Sequence, residues 1–417
     1  MINLFKIKSI IKIIFINIFI FSCNNVSRNA ICYNILRLDN NIGFKVSNDD
    51  YTFLDKIIDK AESEIKVKEN YSKKEAINIL KTISKIHKEL GITSPLRRYG
   101  EPLSVALHDK SFDCGNYVIT YLSIAQKLNL PLYAVLAPQH IFLQWKDRKN
   151  NFYWETLYDM ESSKEEYIKY HHIPKNCITA GVYLKPINNI ELTANYFNTL
   201  GVYLLNHTKQ IANAYICLKK SYDLDSTEPE VLCAIGDYFY KRQLYDSAIK
   251  YYVSSLKINL NFYSAYNNWG LALLMMKYYD KAKINFHSAL NNTNDSIKMA
   301  ETYYNLGKVY FMEQNFSKAK IYFDVSLNID DSKSYKFEDR GVCFFNLNNY
   351  DSALYDFNKA IKLENNNSLY YNNRGIAYIL QGDTIDAIND FHRALVLDST
   401  NKDAKNNYIH LTGAIKK

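Results

Sequence analysis

Glycines recur at a nearly constant interval through the second half of the chain, at Gly201, Gly236, Gly270, Gly307, Gly341 and Gly375, with gaps of 35, 34, 37, 34 and 34 residues. Twelve residues after five of these glycines comes an alanine, and four residues later an aromatic residue: Ala248/Tyr252, Ala282/Phe286, Ala319/Phe323, Ala353/Phe357 and Ala387/Phe391. Small residues let two helices cross closely, and aromatic residues at helical spacing fill the space between neighbouring hairpins. The pattern therefore predicts a helical hairpin repeated along the chain.

This pattern resembles the tetratricopeptide repeat (TPR) family, whose period is 34 residues. The resemblance predicts an all-α solenoid over 191–417, with six units over about 192–400 and a capping helix over 401–417. In the first unit the alanine comes one place late, at Ala214. The resemblance also implies that the concave face, which is lined by the first helix of each pair, binds a protein or peptide ligand.

Three asparagines, Asn198, Asn267 and Asn372, each lie three residues before a repeat glycine. We expect them on the exposed side of the first helices, where they could hydrogen-bond an extended ligand backbone. We interpret them instead as solvated helix positions without a binding role. The chain has 36 tyrosines, and we interpret the aromatic stripes of the repeats as core.

The first residues have the order of an export signal. Lys6, Lys8 and Lys12 precede an apolar run at 13–22 that is too short to span a bilayer, and Cys23 follows. The end of the run resembles the bacterial lipobox, with Phe21 larger than the usual residue. The resemblance implies a signal peptide over 1–22 and a lipidated Cys23. We therefore expect a cell-envelope protein that is lipid-anchored to a membrane on its periplasmic or surface side.

Charge and cysteine spacing exclude several classes of function. The chain has a formal charge of +8, and three of the positive charges lie in the predicted signal, which leaves about +5 without a Lys/Arg run. We therefore expect no nucleic-acid partner. The seven cysteines form no CxxC pair and no Cys/His metal spacing, so we expect neither a metal nor a cofactor. Cys217, Cys233 and Cys343 fall in apolar helical patterns and are predicted to be buried.

Residues 23–50 are rich in asparagine and predicted to be an irregular tether, and a separate domain is predicted over 51–190. Two amphipathic helical runs come first, within 51–90. A further helical pattern follows Cys114, so this residue is predicted at or just before a helix N-terminus. Strands are predicted over 132–136, 141–145 and 152–157, with a turn at 147–151.

This layout allows nucleophilic catalysis. The unpaired N–H groups and positive dipole end of a helix stabilise a thiolate, so Cys114 is a candidate nucleophile, with its own backbone N–H in the oxyanion hole. His140, at the start of the central strand, is a candidate base. A turn centred between residues 147 and 148 would place Glu155 opposite His140 as the orienting carboxylate. A turn centred on residue 149 would instead pair Tyr158 with His140 and bring Asp159 close, and the sequence leaves both registers open.

The same stretch resembles the transglutaminase-like superfamily of papain-type folds over about 95–160. The matching features are Cys114 at a helix start, Asn129-Leu130-Pro131, His140 opening a strand, and Trp154-Glu155-Thr156, with Glu where the superfamily usually has Asp. The resemblance implies an α+β domain in which Cys114, His140 and Glu155 are nucleophile, base and orienting acid.

Two functions follow from these predictions. In the first, a membrane-anchored cysteine hydrolase or acyl transferase acts on amide bonds of a protein or peptide that the TPR array holds. In the second, the protein is a non-catalytic adaptor or envelope assembly scaffold that uses the TPR solenoid. The predicted fold class is an α+β transglutaminase-like domain followed by an all-α TPR solenoid, mostly helical overall.

Overall fold

The structure is a computed structural model that describes residues 30–94, 100–137, 140–171, 173, 178–179, 183–208 and 210–415. The predicted signal peptide and Cys23 lie outside these residues. The chain divides into two compact units, Met1–Ala234 and Ile235–Lys417. Within the described residues, none of the helices combines the length and the apolar character needed to cross a bilayer.

From residue 30 on, where the description starts, the first unit has the helices α1 (Ile31–Ile42), α2 (Asn48–Glu64), α3 (Lys73–Glu89), α4 (Leu103–Asp109) and α5 (Cys114–Leu128). Four strands of a small sheet follow, and then come α6 (Lys164–Tyr170), the fifth strand, α7 (Asn189–His207) and α8 (Ile211–Leu224). Ser47 and Ser72 form capping boxes with Asp50 and Glu75, which fixes the starts of α2 and α3.

Helix α1 corrects the prediction of an irregular tether over 23–50. Its residues Ile35 and Leu36 are fully buried. The first N–H groups of α1 are also satisfied by side chains of α5, because Ile31 N donates to Gln126 (2.9 Å) and Cys32 N donates to Ser123 (3.1 Å). Tertiary contacts therefore stabilise this helix, and the local sequence pattern does not predict them.

The sheet has the strand order β4-β3-β2-β1-β5. Its strands are β1 (Leu132–Ala137), β2 (His140–Lys146), β3 (Asn151–Glu155), β4 (Met160–Ser162) and β5 (Pro186–Ile187), and neighbouring strands are antiparallel. The predicted order of a helix followed by three strands is confirmed. Trp145 and Trp154 are almost completely buried, so one face of the sheet forms a core.

The turn between β2 and β3 has neither of the two predicted centres. Asp147 N donates to Asn150 O at 2.9 Å, so the turn is centred between Arg148 and Lys149. The carboxylate of Asp147 accepts the N–H groups of Lys149 and Asn150, both at 2.7 Å, and this fixes the turn. Continued pairing would place Leu157 opposite His140, so the first predicted register is wrong by two residues and the second by one.

Helix α9 (Pro229–Lys241) crosses the boundary between the two units. The second unit continues as paired helices: α10 (Tyr245–Ile258), α11 (Tyr263–Met275), α12 (Tyr279–Asn291), α13 (Ser296–Met312), α14 (Phe316–Ile329), α15 (Ser334–Asn346), α16 (Tyr350–Leu363), α17 (Ser368–Gln381), α18 (Thr384–Leu397) and α19 (Lys402–Ile415). The predicted hairpin repeat and the terminal helix are both present. Cys217, Cys233 and Cys343 are buried, as predicted.

The repeat glycines mark the closest approach of the two helices in a hairpin. A Cβ on Gly307 would lie 2.5 Å from the ring of Phe323, and one on Gly270 would lie 2.7 Å from the ring of Phe286. Real Cβ atoms essentially never show such distances, so the aromatic ring occupies the space that only glycine leaves. This confirms why the glycine and the aromatic residue share one period.

Two of the three asparagines near these glycines are not the solvated positions that the sequence suggested, whereas Asn198 is partly exposed. Asn267 and Asn372 are only 3% and 4% exposed. Asn305 Nδ2 donates to Asn267 Oδ1 at 3.0 Å, and Asn407 Nδ2 donates to Asn372 Oδ1 at 3.2 Å. A buried amide requires hydrogen-bond partners. These two amides find them on the helix two further along the chain, so they join α11 to α13 and α17 to α19.

Candidate active site

Cys114 is the first residue of α5 and is 6% exposed. The helix begins here because the side chain of Asp113 accepts the N–H of Asn116 at 2.8 Å. The other carboxylate oxygen of Asp113 accepts the N–H of Gly100 at 2.7 Å, which holds the preceding loop. The sulfur is thus carried at the positive end of a fifteen-residue helix, the position predicted for it.

The structure brings His140 and Glu155 into direct contact. His140 opens β2, Glu155 ends β3, and His140 Nε2 lies 2.6 Å from Glu155 Oε2. Cys114 lies close enough to the imidazole of His140 to contribute to the raised pKa of His140. All three predicted site residues therefore meet in one buried group, which we call the Cys-His-Glu group.

The contact between His140 and Glu155 is diagonal across the two strands. The ladder pairs Lys146 with Asn151, so Leu157 would stand opposite His140 if pairing continued. Glu155 is two residues from that position and therefore lies on the same face of the sheet. A carboxylate side chain is long enough to make the diagonal contact.

The alternative carboxylate, Asp159, is not part of the group. Its Oδ2 lies 2.5 Å from Nζ of Lys88, on α3. Tyr158, which the second register paired with His140, is 75% exposed.

Two residues near the group escaped the sequence analysis, Tyr167 and His171. Tyr167 donates its hydroxyl to Glu155 Oε2 at 3.2 Å, and its ring stacks on Phe142 with centroids 3.7 Å apart. The ring of His171 stacks on His140 at 5.0 Å and 9°. The two residues are four apart, so they share one face of the α6 segment. This helical spacing is the sequence pattern from which the pair could have been identified.

The surroundings of His140 favour its charged form. Burial lowers the pKa of His140, but the nearby Cys114 and the hydrogen-bonded Glu155 carboxylate outweigh burial and raise the pKa to about 10. The imidazole is thus an imidazolium at neutral pH. Burial and the nearby Glu155 carboxylate raise the pKa of Tyr167, so its hydroxyl remains a hydrogen-bond donor. An imidazolium held between a thiol and a carboxylate has the arrangement of a cysteine nucleophile with its acid–base partner.

Among the described residues, no cluster of three or more His, Cys, Asp or Glu side chains has the geometry of a metal site.

The sequence profile of the tetratricopeptide repeat matches residues 300–333 and 368–401. The chain therefore carries tandem TPRs. Both matched ranges lie in the second unit, so the likeness of residues 95–160 to the transglutaminase-like superfamily stays a prediction. No curated protein matches the sequence significantly.

Solved TPR structures resemble parts of the chain. PilF of Pseudomonas aeruginosa is 17% identical over 54% of this chain and 100% of its own, with a TM-score of 0.48. YrrB, a TPR protein with an unusual peptide-binding site, is 17% identical over 45% of this chain and 96% of its own (TM-score 0.37). The first TPR of Spaghetti (RPAP3), bound to the HSP90 peptide SRMEEVD, is 24% identical over 30% and 97% (TM-score 0.28).

Proposed function

We propose that the protein binds a protein or peptide partner through its TPR array and carries a cysteine acyl-transfer site in its first unit. The contact between His140 and Glu155 at 2.6 Å, together with the position of Cys114 close enough to His140 to raise its pKa, supports the catalytic half. The repeats support the binding half. The reaction would break an amide bond of the bound partner.

In the proposed reaction, the Cys114 thiolate attacks the amide carbonyl carbon, and the Cys114 backbone N–H stabilises the oxyanion. The His140 imidazolium donates its proton to the leaving nitrogen, the C–N bond breaks, and a thioester forms. Neutral His140 then takes a proton from water or from an acceptor amine, which attacks the thioester and releases the thiolate. Glu155 holds the imidazole and stabilises its charged form throughout.

The catalytic half is tested with the protein lacking only residues 1–23, incubated with a mixture of peptides and biotin-labelled cadaverine. Hydrolysis yields new peptide termini and transfer yields biotinylated peptides, both identified by mass spectrometry. We expect one of these products, and its loss in Cys114→Ala. If wild type and Cys114→Ala give the same products, the site is not catalytic.

The binding half is supported by a row of exposed apolar side chains on first helices of the repeats. Met275, Met312 and Leu380 each lie five residues after a repeat glycine and are 48%, 38% and 50% exposed. Apolar side chains repeated at one helix position are typical of a surface that another protein covers.

To test this, a partner is first captured with the wild-type chain. Its binding to two triple variants of the full chain is then compared. In the first, Met275→Glu, Met312→Glu and Leu380→Glu change the row. In the matched control, Ile284→Glu, Ile321→Glu and Ile385→Glu change second-helix residues that are 65%, 57% and 75% exposed. We expect only the first variant to lose the partner, and equal loss would contradict binding through the first helices.

The repeats also support a second candidate, an adaptor whose first unit is catalytically silent. This candidate predicts partner binding that depends on the row of first-helix residues, with neither peptide product. The two experiments above therefore separate it from the enzyme.

We further propose that a lipid on Cys23 anchors the protein to a membrane of the cell envelope. The order of Lys6, Lys8 and Lys12, the apolar run and Cys23 supports this. The full chain is expressed in bacteria with an alkyne-labelled fatty acid. We expect label on the wild type and none on Cys23→Ser, and label on both would contradict the anchor.

A further inference from the structure

Four nearly parallel rings lie on the face of the sheet that carries His140. His140 and Phe142 are two residues apart on β2 and therefore share this face. Tyr167 and His171 belong to the α6 segment, and the ring of Tyr167 stacks on Phe142 with centroids 3.7 Å apart and planes at 8°. The ring of His171 stacks on His140 at 5.0 Å and 9°. Each of the two β2 rings is thus covered by one ring of the α6 segment.

The backbone fixes the place of the His171 ring. Before His171, α6 is anchored by Tyr167, which is buried, and the N–H of His171 donates to Tyr167 O at 3.0 Å. After His171, the side chain of Ile173 is buried and its N–H donates to Ile168 O at 3.1 Å. The segment is therefore held on both sides of the ring that covers His140.

The function proposed for His140 depends on the orientation of its ring. Its Nε2 lies 2.6 Å from Glu155 Oε2, and Cys114 lies close enough to contribute to its raised pKa. Rotation of the imidazole about its side-chain bonds would break the contact with Glu155. The same rotation would break the stacking on His171, so a parallel neighbouring ring makes it less favourable.

The titratable groups that face His140 in the described part of the chain come from three elements. They are Cys114 on α5, Glu155 on β3, and Tyr167 and His171 of the α6 segment. Tyr167 also hydrogen-bonds the Glu155 carboxylate, whereas the contact of His171 is with the imidazole of His140 itself. The effects of Tyr167 and His171 can therefore be tested separately.

We propose that His171 is a positioning residue of the candidate active site, whose ring keeps the imidazole of His140 in contact with Glu155 and close to Cys114. This role requires a flat ring at this position and no particular hydrogen bond from it. The proposal rests on the proposed cysteine acyl-transfer function, because the orientation of His140 matters to the reaction only beside a reactive Cys114.

The pH–rate profile of Cys114 alkylation by iodoacetamide tests this role in the protein lacking only residues 1–23. Below pH 7 the thiolate depends on the imidazolium beside it, whereas at pH 10 an ordinary thiol is ionised as well. In His171→Ala we therefore expect alkylation at pH 6 to slow by roughly two- to tenfold, the effect of losing one stacked aromatic contact, with little change at pH 10. His171→Phe retains a flat ring and should restore the wild-type profile.

Tyr170→Ala is the matched control. Tyr170 directly precedes His171 and is 73% exposed, so its truncation should leave the profile unchanged. If His171→Ala unfolds at a lower temperature than the wild type, His171→Gln takes its place. Glutamine retains hydrogen-bonding groups but lacks the ring, so we expect the same slowing at pH 6.

The wild-type protein separates the two possible failures. Suppose that its Cys114 reacts faster than glutathione at pH 6. The positioning role alone is then overturned if the ring-less variants keep the wild-type rate, if His171→Phe is as slow as His171→Ala, or if Tyr170→Ala slows equally. If the wild-type Cys114 reacts no faster than glutathione, the acyl-transfer function is overturned, and the role of His171 with it.

Discussion

His140 connects the other two residues of the candidate site, since its imidazole contacts the Glu155 carboxylate and lies close enough to Cys114 for that residue to raise the pKa of His140. Burial alone would discharge this imidazole. Cys114 and the carboxylate of Glu155, which lies 2.6 Å away, together reverse that effect, so the charge of His140 depends on both neighbours.

Replacing Glu155 by Gln should therefore destabilise the first unit in a pH-dependent manner. The folded-state pKa of His140 is raised from 6.5 to about 10, so the stability this group contributes is full below about pH 6.5 and is lost as the pH rises towards 10. We expect Glu155→Gln to cost about 3 kcal/mol at pH 6, the usual loss when one partner of a buried pair is removed, and far less at pH 10. Urea unfolding followed by tryptophan fluorescence measures this in a Trp269→Phe background, where Trp145 and Trp154 report on the sheet. A difference that stays constant with pH would contradict this account of His140.

Tyr167 acts on the site through Glu155. Tyr167→Phe keeps the stacking on Phe142 and removes the hydrogen bond to the carboxylate. We expect alkylation of Cys114 at pH 7 to slow by roughly three- to tenfold, with the pH–rate profile moved to higher pH. Tyr170→Phe, on the same helix and 73% exposed, is the control and should leave the profile unchanged. An unchanged profile in Tyr167→Phe would show that this residue only packs.

The sequence suffices to predict the position of Cys114, because a helix start has local signals in Asp113 and in the apolar periodicity after it. It could not decide which carboxylate approaches His140. That choice depends on the four-residue turn at Asp147, whose side chain accepts two backbone N–H groups. His171 was missed because its stacking on His140 joins parts of the chain that no sequence pattern links.

At the scale of helices, each repeat depends on a glycine that allows a ring to pack. Gly307→Ala would place a Cβ 2.5 Å from the ring of Phe323. We expect a loss of about 1–3 kcal/mol in the unfolding free energy of the second unit, the usual cost of overpacking. Gly413→Ala is the matched control, because nothing lies within 4 Å of its Cβ and the helix should gain about 0.5–1 kcal/mol. Thermal unfolding compares the two, and equal effects would contradict the role of the glycine.

An ion pair replaces apolar contact in the last repeat. Arg374 donates two hydrogen bonds of 2.7 Å to Asp390, which is 5% exposed. Arg374→Leu leaves that carboxylate buried without its partner, and we expect a loss of about 3–5 kcal/mol in chemical unfolding.

A rescue variant shows whether the destabilisation comes from the broken ion pair or from a general loss of packing. The corresponding positions of an earlier repeat hold Leu306 and Tyr322. Arg374→Leu combined with Asp390→Tyr copies that solution and should recover most of the loss. If the double variant is as unstable as Arg374→Leu, the isolated carboxylate is not the cause.

The repeat helices were predictable because one pattern occurs six times, so each copy supports the others. Helix α1 was not, because its first N–H groups are satisfied by Gln126 and Ser123 from another helix. The burial of Asn267 was also not predictable. Its local sequence is the same whether its side chain is exposed to solvent or bonded to Asn305.

At the scale of the whole molecule, we propose a different function for each of the two units. The first unit brings Cys114, His140 and Glu155 together. The second unit repeats one helical hairpin and exposes Met275, Met312 and Leu380 at one position. We propose that the second unit binds the partner and that the first unit breaks an amide bond of this partner.

The reactivity of Cys114 tests the central claim most directly. Wild type, Cys114→Ala and His140→Ala are titrated with iodoacetamide from pH 5 to pH 10, and modification at each cysteine is followed by mass spectrometry. We predict rapid alkylation of Cys114 that persists below pH 7, where an ordinary thiol with a pKa near 8.5 is almost entirely protonated, and loss of that persistence in His140→Ala. A slow Cys114, or one whose rate is unchanged without His140, would contradict an assembled nucleophile.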